Sequence, residues 1–292
     1  MPEHAPDRAS PTTAVIVAAY HQTETLRLLF AALAAAPRTD FSVHIADDGS
    51  APRMDETLCD EAARLPFPVT FHWQPDDGFR KAEILNETVL ATDAELLVFL
   101  DGDCIPHRDL IEVYRSVYRA GEFFAGSVGF LEVETSRALT AEAVARGDHE
   151  RALDRAQLRK IAKTHRKNML HRFIPSVGRK KVRPRIRGGN FAVARDLFEQ
   201  VDGFDEVYGG HGKEDSDLRN RMRNAGARGV SVWTTARAEH LSREVAPSGA
   251  RTQAPVELYE AGRRLVRARR GLSSHRPTAS DDRAPAAPPP AG

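Results

Sequence analysis

Residues 96–100 form an unbroken apolar run, Leu96-Leu97-Val98-Phe99-Leu100. A run of this length reads as a central strand covered on both faces. Three earlier stretches also read as strands: Ala14–Ala19 continuous, Phe41–Ala46 alternating, and Val69–Trp73. The intervening segments predict helices over Glu24–Ala36, from the turn at Ser50 through Leu65, and over Lys81–Ala91. Such alternation is the pattern of a mostly parallel sheet with covering helices, an α/β chain. Past Asp103 the rhythm changes. Leu110–Tyr118 reads as helix, Phe123–Val133 as strand, and 138–172 as a long polar, helix-prone stretch. Regular structure resumes at Gly188–Ala194, with a short helix over Arg195–Val201 and another from Glu214 to Ala225 behind the glycine-rich loop Tyr208–Gly212. A strand near Val230–Trp233 precedes Glu239-His240. The Pro-rich ends, 1–12 and 274–292, are expected to be disordered.

The net charge of +1 over 292 residues excludes overall polyelectrolyte behaviour. It also conceals an asymmetry, because Arg159, Lys160, Lys163, Arg166, Lys167, Arg179, Lys180, Lys181, Arg183, Arg185 and Arg187 crowd into the interval 146–187. The bland reading is a solvated helix with acidic partners elsewhere in the fold. The sharper one is contact with an anionic membrane surface or a phosphate-bearing acceptor. No aromatic residues interleave these charges as in a single-strand binder, so no nucleic-acid partner is expected. The two cysteines, Cys59 and Cys104, make no disulfide framework. No apolar run approaches the ~20 residues of a membrane helix, and the N-terminus lacks a signal-peptide core. The expected location is the cytoplasm, with peripheral contact at the inner face of the membrane.

Three predicted strands end in acidic loops: Asp47-Asp48, Asp76-Asp77, and Asp101-Gly102-Asp103. In a parallel sheet all three open on the edge where ligands collect. Carboxylates gathered there repel one another unless a cation or a donor-rich ligand joins them. Hard divalent cations take such oxygen ligands and bridge them to phosphates. Arg80 and Lys81 bring positive charge to the same rim, suited to a diphosphate. Each residue has a plainer reading too. Asp-Gly is a common turn signal, Asp48 suits a turn before Gly49, and Arg80 suits a surface salt bridge.

In order along the chain stand Val17-Ala18-Ala19-Tyr20, Asp47-Asp48-Gly49-Ser50, Gly78-Phe79-Arg80-Lys81-Ala82 with Asn86, and Phe99-Leu100-Asp101-Gly102-Asp103-Cys104. Arg187-Gly188-Gly189-Asn190, Val201-Asp202-Gly203-Phe204-Asp205-Glu206 and Gly212-Lys213-Glu214-Asp215-Ser216-Asp217-Leu218 follow. Over roughly residues 13–242 this series resembles an inverting glycosyltransferase of family 2, and its second half resembles the galactosyltransferase-type C-terminal region. The resemblance implies the GT-A fold, a Rossmann-like nucleotide-diphospho-sugar transferase architecture with a mostly parallel central sheet and flanking helices. A long basic helical insertion is expected in addition.

The implied divisions are a nucleotide-sugar-binding half over 13–137, the basic insertion over 138–187, an acceptor and catalytic half over 188–245, and a helical extension over 246–273. The implied roles are Ala18 and Asp48 at the nucleotide base, Arg80 near base or diphosphate, and Asp101 and Asp103 as a DxD pair holding ribose and metal. Gly189 and Asn190 are assigned to the donor, Glu214 and His211 to the acceptor, and Asp215 to the catalytic base. His240 falls where related enzymes place a further metal ligand, and an imidazole beside carboxylates suits Mn²⁺, with Mg²⁺ as the other candidate. The acids Glu214 and Asp215 also suit a helix start for dipole reasons alone, and His240 has the plain reading of a satisfied histidine.

The chain departs from the family at Gly210-His211-Gly212, where Gly-Trp-Gly is common, so the expected aromatic platform for an acceptor sugar becomes an imidazole. It also lacks the Gln-x-x-Arg-Trp pattern of processive synthases. The expectation is therefore metal-dependent transfer of one sugar, from a UDP-sugar first of all, to a hydroxyl of a glycan or glycolipid in cell-envelope biosynthesis. Two alternatives compete. A sugar-1-phosphate nucleotidylyltransferase needs a glycine-rich basic loop after the first strand, where this chain has Tyr20-His21-Gln22. A non-catalytic protein that binds anionic surfaces would need only the basic stretch.

Overall fold

The computed structural model describes residues 10–171, 183–210, 212–242 and 256–276, with the backbone alone at 171. Expectations placed on 1–9, 172–182, His211, 243–255 and 277–292 lie outside the described residues. The first half alternates as the sequence predicts: β1 (Thr13–Ala19), α1 (Thr23–Ala34), β2 (Ser42–Asp47), α2 (Met54–Ala62), β3 (Val69–Trp73), α3 (Lys81–Leu90) and β4 (Leu96–Asp101). These four strands are parallel, in the order β3-β2-β1-β4. All of β1 is buried, and in β4 only the terminal Asp101 is not. Continuous apolar sequence thus marks the strands covered on both faces. Helix α1 is amphipathic instead, burying Leu26, Leu29, Phe30 and Leu33 at helical spacing.

The second half supplies β5 (Cys104–Pro106), α4 (Leu110–Val117), β6 (Glu122–Ala125), β7 (Ser127–Phe130), α5 (Val133–Ala138), α6 (Ala141–Arg146) and α7 (Arg155–His171). It continues with β8 (Asn190–Ala194), α8 (Arg195–Gln200), α9 (Glu214–Asn224), β9 (Arg228–Ser231), β10 (Arg237–His240) and α10 (Val256–Gly262). Strand β8 lies antiparallel to β4 and β6, and β9 joins β6 in parallel, giving a seven-stranded sheet in the order β3-β2-β1-β4-β8-β6-β9. A second sheet, β5-β10-β7, leans over the end of β4.

Beneath the carboxyl end of β4, Phe99 stacks on Phe191 at 4.9 Å and meets Phe204 edge-on at 5.4 Å. This aromatic cluster forms the floor on which the acid loops rest. Truncating Phe99 to alanine should cost about 3–5 kcal/mol, as for other buried aromatics.

Three expectations need correction. The single strand over Phe123–Val133 is two strands in different sheets, followed by α5. The chain changes sheet at Gly126, where a Cβ would stand 2.3 Å from Tyr114 Oη and 2.5 Å from Asn190 Nδ2. The polar stretch 138–172 is not one helix either. Gly147, at φ 83°, ends α6 in a left-handed cap, and a 3₁₀ turn over Asp148–Arg151 precedes α7. The strand expected near Val230–Trp233 is β9, two residues earlier.

The Val201–Glu206 motif anchors the C-terminal segment. Leu272 N–H donates to the Asp202 carbonyl at 3.0 Å, Glu206 N–H donates to the Arg270 carbonyl at 2.8 Å, and Arg269 pairs with Asp205 at 3.2 Å. Asn86, on α3, closes the same knot by donating to the Phe204 carbonyl at 3.0 Å. No helix among the described residues is long and apolar enough to cross a membrane.

Candidate active site

The carboxyl ends of β1 and β4 set the floor. Ala18 is in register with Asp101, and Gly102 N–H donates to the Ala18 carbonyl at 2.8 Å. The turn passes so close to β1 that a Cβ on Gly102 would sit 2.6 Å from Gln22 Oε1. Asp101 pairs through Oδ1 with Lys81 Nζ, the first residue of α3. Asp103 Oδ2 accepts from Gln22 Nε2 at 3.0 Å and lies 3.5 Å from His240 Nε2. Strand β10 carries that imidazole: His240 is in register with Cys104, and Leu241 N–H donates to the Asp103 carbonyl at 2.9 Å. Strand alternation turns Glu239 the other way, fully buried, to pair with His107 at 2.8 Å. Burial pushes the Asp103 carboxyl up, and His240 opposes that shift.

Ligand atoms of Asp101, Asp103 and Cys104 lie within 4.8 Å of one another. Burial, reinforced by the two aspartates, pushes the Cys104 thiol well up and keeps it neutral. The usable donors are therefore carboxylate oxygens and an imidazole, and His240 Nδ1 is buried with no hydrogen-bond partner. That set fits a cation accepting both oxygen and nitrogen, Mn²⁺ better than Mg²⁺.

Across the cleft, α9 begins with Glu214 and Asp215, launched from Lys213 at φ 86°. Asp215 Oδ2 accepts from Gly188 N–H at 3.1 Å. Glu214 is only 7 % exposed, and its Oε2 has no hydrogen-bond partner. Burial pushes its carboxyl up, partly offset by Lys81. Lys81 serves three acids at once. Burial alone lowers its ammonium, yet Asp101, Glu214 and Asp215 outweigh burial and hold it above the ordinary lysine value. Ala18, Lys81, Gly188, Glu214 and Asp215 line one cavity over the Phe99, Phe191 and Phe204 floor. The Gly188-Gly189 turn closes it, and a Cβ at Gly189 would come within 2.6 Å of Cys104 Sγ.

The remaining expected donor residues are placed differently. Asp48 is buried, and both its oxygens serve the chain: Oδ1 accepts from Gln74 Nε2 at 2.5 Å and Oδ2 from Arg80 N–H at 3.0 Å. Burial pushes its carboxyl to about 6, against the effect of those two donors. The guanidinium of Arg80 donates to the Pro75 carbonyl and stands 3.5 Å from Glu83 beside the β3–α3 loop, with its Nε buried and unpartnered. Asn190 has no exposed surface; it donates to the Ser127 and Ala236 carbonyls at 2.9 and 3.1 Å and accepts from Tyr114 Oη at 2.6 Å. Its side chain staples β8 to the second sheet instead of facing the cleft. His211 lies outside the described residues.

Sequence reasoning passed over Gln22 and under-read Lys81. Gln22 carries no signal, since one glutamine after a strand has no pattern. Lys81 was visible as a rim charge, but only the fold brings Glu214 and Asp215 to it.

Comparison with known proteins accords with this geometry. The pattern of Glycosyl transferase family 2 matches residues 14–201, and that described as the N-terminal domain of galactosyltransferase matches 168–244. No curated protein matches the chain significantly. Among solved structures, the mannosyltransferase PcManGT from Pyrobaculum calidifontis, in complex with GDP-Man and Mn²⁺, is similar at TM-score 0.51 and 18% identity. GalNAc-T7 with UDP, GalNAc and Mn²⁺ is similar at TM-score 0.55 and 14%, and S. aureus TarS at 0.51 and 14%. Each alignment covers 81% of this chain, but only 59%, 45% and 37% of those chains respectively. The architecture they share is the GT-A fold. The chain belongs to glycosyl transferase family 2, with a galactosyltransferase-type C-terminal region.

Proposed function

We propose that this chain moves one sugar from a nucleotide-diphosphate donor to a hydroxyl of a glycan or glycolipid, with inversion at the anomeric carbon. The observation that carries the reading is the convergence, at one sheet edge, of the Asp103–His240 pair and the Glu214-Asp215 helix start around Lys81. Solved relatives hold GDP-Man or UDP together with Mn²⁺, which supports a nucleotide-sugar donor and a divalent cation here. Asp103 and His240 would hold that cation, which supplies positive charge against a departing diphosphate. Asp101 positions the donor ribose, restrained by Lys81. Asp215 takes the proton of the attacking hydroxyl, and Glu214, with its free Oε2, accepts a hydrogen bond from the acceptor sugar. One base and no covalent intermediate give inversion.

Peripheral contact with the anionic cytoplasmic face of a membrane belongs to the same proposal. Helix α7 has no acidic residue, and Arg155, Arg159, Lys160, Lys163, Arg166 and Lys167 are all exposed beside Leu170, which is 72% exposed. At about 100° per residue these positions share one outward face. Binding to anionic vesicles should fall as salt rises, and equal absence of binding to neutral and anionic vesicles removes this part.

The donor test is hydrolysis of UDP-, GDP- and dTDP-sugars with and without Mn²⁺. Metal-dependent release of a nucleoside diphosphate from one of them is expected. No release from any donor, with or without an acceptor mixture, overturns the reading.

A further inference from the structure

We propose that Arg187 is an anion-binding residue of the cleft and receives the diphosphate of the nucleotide-sugar; this rests on the function proposed above. Sequence reasoning gave that role to Arg80, whose terminal nitrogens face the Pro75 carbonyl and Glu83 and whose Nε is buried without a partner. Lys81 is spent on Asp101. The cleft therefore needs another cation if a diphosphate is to sit among Asp101, Asp103, Glu214 and Asp215.

Arg187 is placed to supply it. Its guanidinium lies over two aromatic rings, 5.7 Å from the Phe130 centroid and 5.8 Å from that of Trp233. Phe130 also meets the His240 imidazole, at 5.1 Å, so Arg187 and the metal-side histidine flank one ring. On its other side Arg187 leads directly into Gly188, whose N–H holds Asp215. The guanidinium is thus set between the Asp103–His240 side and the Asp215 side of the cleft. The backbone fixes it there, since Asn190 N–H donates to the Arg187 carbonyl at 3.0 Å and Trp233 Nε1 donates to the Arg185 carbonyl at 3.2 Å.

What is missing around Arg187 is as informative. Among the described residues no carboxylate comes within 4.0 Å of it, whereas Arg80, Arg115 and Arg195 each have an acid partner. Its half-buried guanidinium is pushed down by desolvation and by Arg185, and the Asp215 carboxylate opposes both. A charge stripped of water with no carboxylate in direct contact is costly to hold. Two aromatic faces return part of that cost through cation–π attraction, and they leave the in-plane N–H donors free for a bidentate phosphate.

In the reaction, the acceptor oxygen bonds to the anomeric carbon and gives its proton to Asp215. The bond from that carbon to the β-phosphate oxygen breaks, and its electron pair stays on the phosphate. Arg187 would donate to that oxygen group as the charge grows.

Calorimetry on the full chain in Mn²⁺ tests the assignment with UDP, GDP, uridine and guanosine as probes. For the nucleotide that the wild type binds, Arg187→Met should weaken the diphosphate at least ~10-fold, the scale of a lost charge-assisted hydrogen bond. Nucleoside affinity should not change. Arg187→Lys keeps the charge but loses the fork and should fall between the two; it decides the matter if Arg187→Met melts early. Unchanged diphosphate affinity in the variants overturns the inference and leaves the proposed function standing, as does equal weakening of nucleoside and diphosphate. If the wild type binds neither diphosphate, the proposed function fails and this inference with it.

Discussion

The loops after β2 and after β4 each carry two aspartates to the same sheet edge, and their carboxylates have opposite surroundings. After β2, every oxygen is used by the chain. Asp47 accepts from Ser50 N–H at 2.9 Å, Ser50 Oγ at 2.6 Å and Met54 N–H at 3.3 Å, and Asp48 is filled by Gln74 and Arg80 N–H. After β4 the donors run short. One lysine answers Asp101, Glu214 and Asp215 together, and Asp103 has a glutamine, the weak thiol donor of Cys104 at 3.8 Å and an imidazole at 3.5 Å. Saturated acids hold a loop in shape, whereas acids short of donors leave a site for a ligand. Residue type alone does not separate the two cases, and the count of available donors does.

The sharpest way to break this contrast is at Asp215. Asp215→Asn keeps the Gly188 hydrogen bond but cannot take a proton, so turnover should fall by roughly 10²–10⁴ while donor affinity holds. Glu214→Gln should act through acceptor KM instead. Near-normal turnover of Asp215→Asn, measured with a working donor and acceptor, would assign the proton to another group.

On the saturated side the expected damage is to folding. Asp47→Ala strands the buried Ser50 and Met54 donors and should cost about 2–4 kcal/mol in denaturant unfolding. Turnover per folded molecule should stay within about twofold. A large loss of turnover at unchanged stability would move Asp47 to the ligand-binding group.

A smaller effect separates Asp48 by pH. Its folded value of about 6 lies above the ordinary 3.8, so the folded state holds the proton more tightly. Stability from this group is greatest at low pH and declines as pH rises from about 4 through about 6. Asp48→Asn should flatten the urea midpoint over that window, and an unchanged slope would show that burial does not govern this carboxyl.

The first half of the fold was legible because β1 and β4 are covered on both faces and announce it with continuous apolar sequence. The three acid loops followed from strand direction. The second sheet was not legible, since β5, β7 and β10 have three or four residues each, too few for a period. His240 could be named from the resemblance, yet its meeting with Asp103 depends on that sheet. Gly147 was in view and its left-handed cap was not. Arg80 and Lys81 are neighbours at a helix start, and only the surrounding partners show which one turns into the cleft. Arg187 was read as one more charge of a basic stretch, because its aromatic neighbours Phe130 and Trp233 are far away in sequence.

The most direct measurement is calorimetric titration of UDP and GDP into the wild type and Asp103→Ala, each in Mn²⁺ and in chelator. The wild type should bind one nucleotide tightly only with Mn²⁺, and Asp103→Ala should lose that metal-dependent gain while keeping its melting temperature. Equal affinity of Asp103→Ala and wild type in Mn²⁺ would contradict a metal-assisted donor site at the end of β4.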